Sequence, residues 1–270
     1  MELDLYKNDG SILFADYKTL KSSNGKSTEA VVSSGSQITG FKQLNSSHVV
    51  FVEKEYHCIR VYSREKRSFS RLVGQRGTSS KYYGFVDGAS AKFYHPYGVE
   101  SDERNPGHLL VTDQFNHALR SVDVASGIVS TVIRTGFSNP RGLTWYNGSL
   151  LVCNVNYISK VAWSSNGAVT NSKLTTTTSY GYREGDFSTA RFNSPYEIQQ
   201  LRDGLFIIAD NSNKKLRLLD MYKKKVLPVC IGSTTSCSTG TSLSINRTSL
   251  LITNDTVHVG GNNKILRLTG

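Results

Sequence analysis

The sequence predicts an all-β protein assembled from six copies of one small four-stranded antiparallel sheet. Three observations predict it: a passage written twice, a recurring spacing, and the lack of any helical period. Ala91-Lys92-Phe93-Tyr94-His95-Pro96-Tyr97-Gly98-Val99 leads into Leu109-Leu110-Val111-Thr112-Asp113 and on to Arg120. Ala190-Arg191-Phe192-Asn193-Ser194-Pro195-Tyr196-Glu197-Ile198 leads in the same way into Leu205-Phe206-Ile207-Ile208-Ala209-Asp210 and on to Arg217. Asp113 precedes Arg120 by seven residues and Asp210 precedes Arg217 by seven, a step shared by Glu53 and Arg60, Cys153 and Lys160, and Gly260 and Arg267. An apolar run comes before the first position each time. No ten-residue stretch carries apolar residues at a 3.6 period, so helix should be scarce.

Internal repeats fix an architecture before other arguments can. The basic positions 60, 120, 160, 217 and 267 are 60, 40, 57 and 50 residues apart, and six units in 270 residues average 45. Repeats of roughly 40–50 residues with several strands each mark the blades of a β-propeller. The expected architecture is one domain over 1–270, with approximate blades at 1–37, 38–80, 81–136, 137–179, 180–235 and 236–270.

Within the first blade, Ser11 to Ala15 and Glu29 to Ser33 read as strands. In the clearest copy the strands are Tyr97 to Glu100, His108 to Thr112, Ala118 to Asp123 and, after a Ser126-Gly127 turn, Ile128 to Ile133. They are short, rich in β-branched residues and bounded by Gly, Asn, Asp and Pro, the pattern of strands and turns. The last unit ends after its third strand, near Arg267. A ring must hide its edges, because an open strand recruits other chains. Glu2 to Lys7 alternates Leu3 and Leu5 with Glu2 and Asp4, and is expected to close the ring by pairing with the last blade. The alternative is that it simply begins blade one.

The two strong copies resemble the NHL-repeat propellers, whose consensus runs A-x-F-x-x-P-x-G-I, an apolar pair with V-A-D, then x-x-N-H-x-I-R. Ala91 to Arg120 and Ala190 to Arg217 match it nearly throughout. Phe137-Ser138-Asn139-Pro140-Arg141-Gly142-Leu143 keeps the proline turn but then loses the Asp and the Arg. About a third of the chain matches strongly. The resemblance implies fold far more than function, since such folds host unrelated activities.

Composition narrows the class. Hydrophobic residues make up 38% of the chain, with 23 Gly and 5 Pro, which suits a single β domain of this length. No apolar run reaches the length of a membrane helix, and Met1-Glu2-Leu3-Asp4 lacks the basic start and apolar core of a signal peptide. Sequons at Asn45, Asn147, Asn246 and Asn254 all fall near expected turns and favour a secreted or cell-surface origin. Cys230 and Cys237 flank a flexible loop that a disulfide could close, whereas Cys58 and Cys153 fall inside strands and read as buried free thiols. The net charge of +11 favours a polyanionic partner, although Lys223 to Lys225 also suit the outer edge of a blade, where lysine blocks strand addition.

The Asp–Arg pairs recur in several blades, so they read as structural ion pairs joining second and third strands, with Asn116 and Asn213 forming the intervening turn. His57 and His117 share that repeat position. The proline turns are the binding candidates, because the turn entering each innermost strand faces one mouth of the central channel. Tyr94, His95, Tyr97, Arg141, Tyr196 and Glu197 are therefore the expected ligand-binding residues. Tyr and Arg are frequent binding anchors, and Glu197 stands where the repeat has glycine. The segments Tyr82 to Gly88 and Tyr180 to Phe187 are glycine-hinged aromatic loops of the kind that carry binding.

Three functions remain open. The first is an extracellular binding module for a protein or an anionic glycan, monomeric and without a cofactor. The second is a channel-site hydrolase or lyase, lactonase-like or amidating-lyase-like, assisted by calcium or zinc. Glu197 would then be the base or metal ligand, with Asn139 and Asn193 as weak further ligands. The third is RNA binding on a basic face, against which the sequons argue.

Overall fold

The computed structural model describes residues 3–6, 11–16, 18–23, 28–229, 250–253, 256–259 and 264–267. The protein is all-β, with 52% strand and 3% helix, and among the described residues the helix is confined to two short 3₁₀ turns at Gln114–Asn116 and Asn211–Asn213. The chain divides into two compact units, Met1–Pro140 and Arg141–Gly270.

The first unit holds three four-stranded antiparallel sheets, each in sequence order. They are β1–β4 (Leu3–Tyr6, Ser11–Asp16, Thr19–Ser23, Thr28–Ser33), β5–β8 (Ile38–Asn45, His48–Glu53, Cys58–Ser63, Ser68–Val73) and β9–β12 (Pro96–Ser101, His108–Asp113, Ala118–Asp123, Val129–Ile133). The second unit holds β13–β16 (Leu143–Tyr146, Ser149–Cys153, Ile158–Trp163, Val169–Lys173), a five-stranded sheet and a three-stranded sheet. The five-stranded sheet adds β17 (Gly185–Asp186) outside β21 (Lys225–Pro228), β20 (Lys215–Asp220), β19 (Leu205–Asp210) and β18 (Pro195–Arg202). The three-stranded sheet is β22–β24 (Leu250–Thr253, Thr256–Val259, Lys264–Arg267).

The clearest copy is expected to hold four strands, and β9–β12 fall within a residue or two of them. The N-terminal strand differs from expectation. β1 pairs with β2, Leu3 opposite Phe14 through Tyr6 opposite Ser11. It therefore begins the first sheet instead of pairing with the last blade. Only residues 7–10 separate the two strands, so closing this hairpin costs less chain entropy than any distant pairing.

Sheets within a unit stack face to face, which explains the apolar runs. β6, β10 and β19 are buried along nearly their whole length, because each lies mid-sheet with side chains directed to both faces. Leu109 and Val111 pack with Val50, Val52, Ile59, Phe93 and Val99 in one core. Phe206 and Ile208 pack with Leu151, Ile158, Phe192 and Ile198 in the matching core of the second unit. The outer strands β8 and β16 are largely exposed and correspondingly polar.

First strands approach one another closely. A Cβ on Gly40 would lie 2.8 Å from the Tyr97 carbonyl, and one on Gly142 would lie 2.7 Å from the Tyr196 carbonyl. Only glycine admits the backbone contact in which the Gly142 amide donates to that carbonyl at 2.9 Å.

The buried ion pairs of the two strong repeats hold their loops. Arg120 Nη1 meets Asp113 Oδ2 at 2.8 Å and Arg217 Nη1 meets Asp210 Oδ2 at 2.9 Å, all four side chains fully buried. Each guanidinium also donates to loop carbonyls, Arg120 to Lys92 and Val86 and Arg217 to Arg191 and Arg183. Each lies between two rings, Phe85 and Phe93 for Arg120, and Tyr182 and Phe192 for Arg217. Asn116 and Asn213 act through their side chains, each amide bridging the repeat aspartate and a glycine carbonyl. The left-handed residue of the turn is the next one, His117 or Lys214, both at φ 53°. This corrects the assignment of the turn to the asparagines. Their amide groups are needed elsewhere.

Candidate functional site

Three residues that precede proline lie in the left-handed region: His95 at φ 53°, Asn139 at 48° and Ser194 at 54°. A following proline normally holds a residue in extended backbone, so each turn needs an external anchor. The His95 amide donates to His57 Nδ1 at 3.1 Å, and the Asn139 amide to His117 Nδ1 at 3.1 Å. The Ser194 amide donates to the Val155 carbonyl at 2.8 Å. His57 and His117 are thus anchors, because the ring at the end of one turn pins the proline turn of the following blade. Both must keep Nδ1 unprotonated to do so. Sparse backbone conformations of this kind gather at functional sites.

In the first unit this anchor sits inside an aromatic cluster. The Tyr83 and Tyr94 rings stack at 4.3 Å, and the His95 and Phe115 rings at 4.6 Å. His57 stacks on His95 at 4.8 Å and touches Tyr83 and Tyr94 at 5.0 and 5.8 Å. Tyr94 meets His95 and Phe115 edge-on. Tyr83, Tyr94 and His95 are half-buried and Phe115 is 40% exposed, so the cluster has a buried base and an open rim. Two buried polar atoms here make no hydrogen bond: His95 Nδ1 and Oε1 of Gln114, a residue 3% exposed. Asp113 pairs with Pro96, which sets Gln114 across from His95.

Burial lowers the His57 pKa to about 4, with His95 adding to the shift. Burial also lowers His95, reinforced by Lys54 and opposed by Glu55. Both imidazoles are neutral at pH 7. Tyr97 is nearly buried, and the Lys54 ammonium sits 5.3 Å from its ring centre.

The second unit brings together Arg141, Tyr196 and Glu197. The Arg141 guanidinium lies 4.3 Å from the Tyr196 ring, and its Nη1 reaches the Pro195 carbonyl at 3.4 Å. Glu197 is 5% exposed, and its Oε1 would be 2.9 Å from a Cβ on Gly142. Cys153 is buried beside them. Burial pushes its thiol far above the usual range, with Glu197 raising it further and Arg141 opposing. Cys58 and Cys153 are both free, buried thiols.

The backbone amides of Asn139 and Asn193 belong to the frame, donating to His117 Nδ1 at 3.1 Å and to Asp210 Oδ1 at 2.8 Å. Among the described residues no three His, Cys, Asp or Glu side chains gather as a metal site. Asn45 and Asn147 occupy exposed hairpin turns, and Asn147 is left-handed at φ 46°. Asn45 Oδ1 accepts from the amides of Ser47 and His48, both at 2.9 Å. Cys230, Cys237, Asn246 and Asn254 lie outside the described residues.

Tyr94 and His95 belong to one cluster in the first unit, and Arg141, Tyr196 and Glu197 to another in the second. The expectation lacked His57, Phe115 and Gln114 as members. Two aligned copies held the signal for Phe115, since the matching residue of the other strong copy is Ser212.

No protein-family model matches the chain, and no curated protein matches it. Solved structures do. An auxiliary nutrient binding protein from Bacteroides ovatus superposes with a TM-score of 0.68 at 12% identity, covering 85% of this chain and 57% of that one. A gluconolactonase from Xanthomonas campestris gives 0.69 at 11% identity, covering 99% and 85%. A virginiamycin B lyase from Staphylococcus aureus gives 0.61 at 15% identity, covering 98% and 78%. The chain thus spans little more than half of the first of these proteins. The neighbours are β-propellers, and likeness at such identities establishes the fold.

Proposed function

We propose that this chain is a six-bladed, NHL-like propeller that works as an extracellular binding module, taking a protein or an anionic glycan at its proline-turn face. The observation that carries the reading is the aromatic cluster of His57, Tyr83, Tyr94, His95 and Phe115. It occurs in one of the two strong repeats, whereas the structural frame occurs in both. Stacked rings with an open edge suit the flat face of a sugar ring or an aromatic side chain. The unpaired His95 Nδ1 and Gln114 Oε1 are a buried donor or acceptor and an acceptor for a ligand's polar groups. The nutrient-binding neighbour supports a binding role. The exposed sequons at Asn45 and Asn147 support a secreted location. Among the described residues no helix is long and apolar enough to cross a membrane. Binding to an array of neutral and acidic glycans, repeated with Phe115→Ala, tests the reading. Loss of the bound signal with an unchanged melting temperature supports it. An unaltered profile contradicts it.

A second reading is a channel-site hydrolase or lyase, favoured by one observation: a buried Glu197 beside Arg141 where the other copy has Gly98. The gluconolactonase and lyase neighbours fit it. Glu197 would act as the base. Among the described residues no group of three His, Cys, Asp or Glu side chains gathers around it. Gluconolactone hydrolysis that Glu197→Gln abolishes without loss of stability would move this reading to first place.

A further inference from the structure

The loop preceding the second strong repeat carries an unexplained arrangement of charge. Arg183 and Arg191 face each other as an antiparallel pair, exchanging backbone hydrogen bonds of 3.4 and 3.0 Å. Directly opposed residues project from the same face, and like charges so placed are destabilising. Both side chains are exposed, and the frame uses only their backbone groups, the carbonyls also accepting from Arg217. The first strong repeat has Val86 opposite Lys92 at this bridge, so two arginines are not a demand of the fold.

More positive charge surrounds the pair. Lys214 is exposed on the neighbouring turn, and Lys215 holds its ammonium 4.8 Å from the Tyr182 ring. No carboxylate pairs with Arg183, Arg191 or Lys214 among the described residues. The loop's own acids are engaged: Glu184 accepts from the Tyr182 hydroxyl, and Asp186 lies 4.0 Å from Lys225. Tyr180, 61% exposed, flanks the cations, and the Arg191 stem passes over Gly181 beside it.

We infer that Arg183, Arg191, Lys214 and Lys215 form an oxyanion site that takes the sulfate groups of a sulfated glycan. Guanidinium groups offer paired donors that match a tetrahedral oxyanion, which accounts for Arg at both bridge positions. A single-stranded nucleic acid would call for free aromatic faces along a cationic track. Here Tyr182 already has Lys215 and Arg217 at its ring, leaving Tyr180 alone. The inference gives a charge to the ligand of the binding role proposed above, and it rests on that role. It uses residues separate from the aromatic cluster, so the two can fail separately.

The test is titration of the protein with a heparin octasaccharide, its fully desulfated counterpart and a single-stranded poly(U) of similar charge. Starting at about 50 mM salt, heparin affinity should fall linearly with the logarithm of salt concentration. The double variant R183Q/R191Q should weaken heparin by at least about tenfold and flatten the salt slope by roughly two, one per lost contact. Its melting temperature should hold or rise slightly, because the backbone contacts remain and the opposed charges are gone. Lys92→Gln, at the matching bridge of the other repeat, should leave heparin binding unaltered. Desulfated heparin should not bind. Equal loss in Lys92→Gln would overturn the inference by showing that general positive charge suffices. Tighter binding of poly(U) than of heparin, or no heparin binding at low salt, would overturn it too. Loss of heparin binding in Phe115→Ala but not in R183Q/R191Q would keep the aromatic site and remove this one.

Discussion

The repeats at 91–120 and 190–217 share a skeleton and differ in what they show to solvent. Both bury an aspartate against an arginine seven residues later, staple the turn with an asparagine amide, and close it with a left-handed residue. On that skeleton one copy places Tyr94, His95 and Phe115 where the other places Asn193, Ser194 and Ser212. The other copy instead opposes two arginines where the first has valine and lysine. What repeats is structure. What differs carries the candidate chemistry.

The largest losses are expected at the shared skeleton. Asp210→Ala leaves the buried Arg217 guanidinium without its carboxylate, which costs about 3–5 kcal/mol, whereas Asp113→Ala leaves Arg120 still paired with Asp87 at 2.5 Å and should cost less. Chemical denaturation should show the larger loss for Asp210→Ala. A loss below about 1 kcal/mol for Asp210→Ala, or an equal loss for the two, would contradict this account of the pairs. Gly142→Ala forces a Cβ to within 2.7 Å of the Tyr196 carbonyl and 2.8 Å of Glu197 Cα, both backbone. The strands must separate, at a cost of about 2 kcal/mol or more. The same measurement reads it, and an unchanged midpoint would contradict the close approach.

Acid should separate the copies. His57 is held at about 4, below its ordinary 6.5, so between those values the unfolded chain binds the extra proton. Its contribution is fully present above pH 6.5 and is lost as pH falls towards 4, amounting to about 2 kcal/mol after a discount for solvent screening from the about 3 kcal/mol of the bare shift. The position equivalent to His57 is Lys214 in the 190–217 repeat, so that copy has no imidazole there. In His57→Asn, which tolerates the left-handed backbone and keeps an acceptor, the fall in melting temperature between pH 7 and 4.5 should shrink. An unchanged acid profile would show that His57 is not the sensor.

Much of the skeleton was legible in the sequence. Strand ends at Gly, Asn and Asp, the doubled proline turn and the seven-residue Asp–Arg step all appear in the chain itself. The N-terminal strand was misplaced because alternation of Leu3 and Leu5 says which face is apolar and nothing about which neighbour it pairs with. The turn asparagines were misassigned because tolerance of positive φ is only one use of Asn, and a side-chain staple is another. The candidate cluster was half legible. Tyr94 and His95 sit on the proline turn, whereas His57 and Phe115 come from turns 38 and 20 residues away from His95. Only folding shows that their rings stack.

The most direct test converts one copy's face into the other's. The triple variant Tyr94→Asn, His95→Ser, Phe115→Ser keeps Asp113, Asn116 and Arg120, and its residues already work at the equivalent positions of the 190–217 repeat. Glycan-array binding and thermal melting would be measured side by side with the wild type. A recognition role for the cluster predicts a folded, cooperative protein whose array signal is lost. Retained binding, or collapse of the fold, would show that the aromatic cluster serves structure instead of recognition.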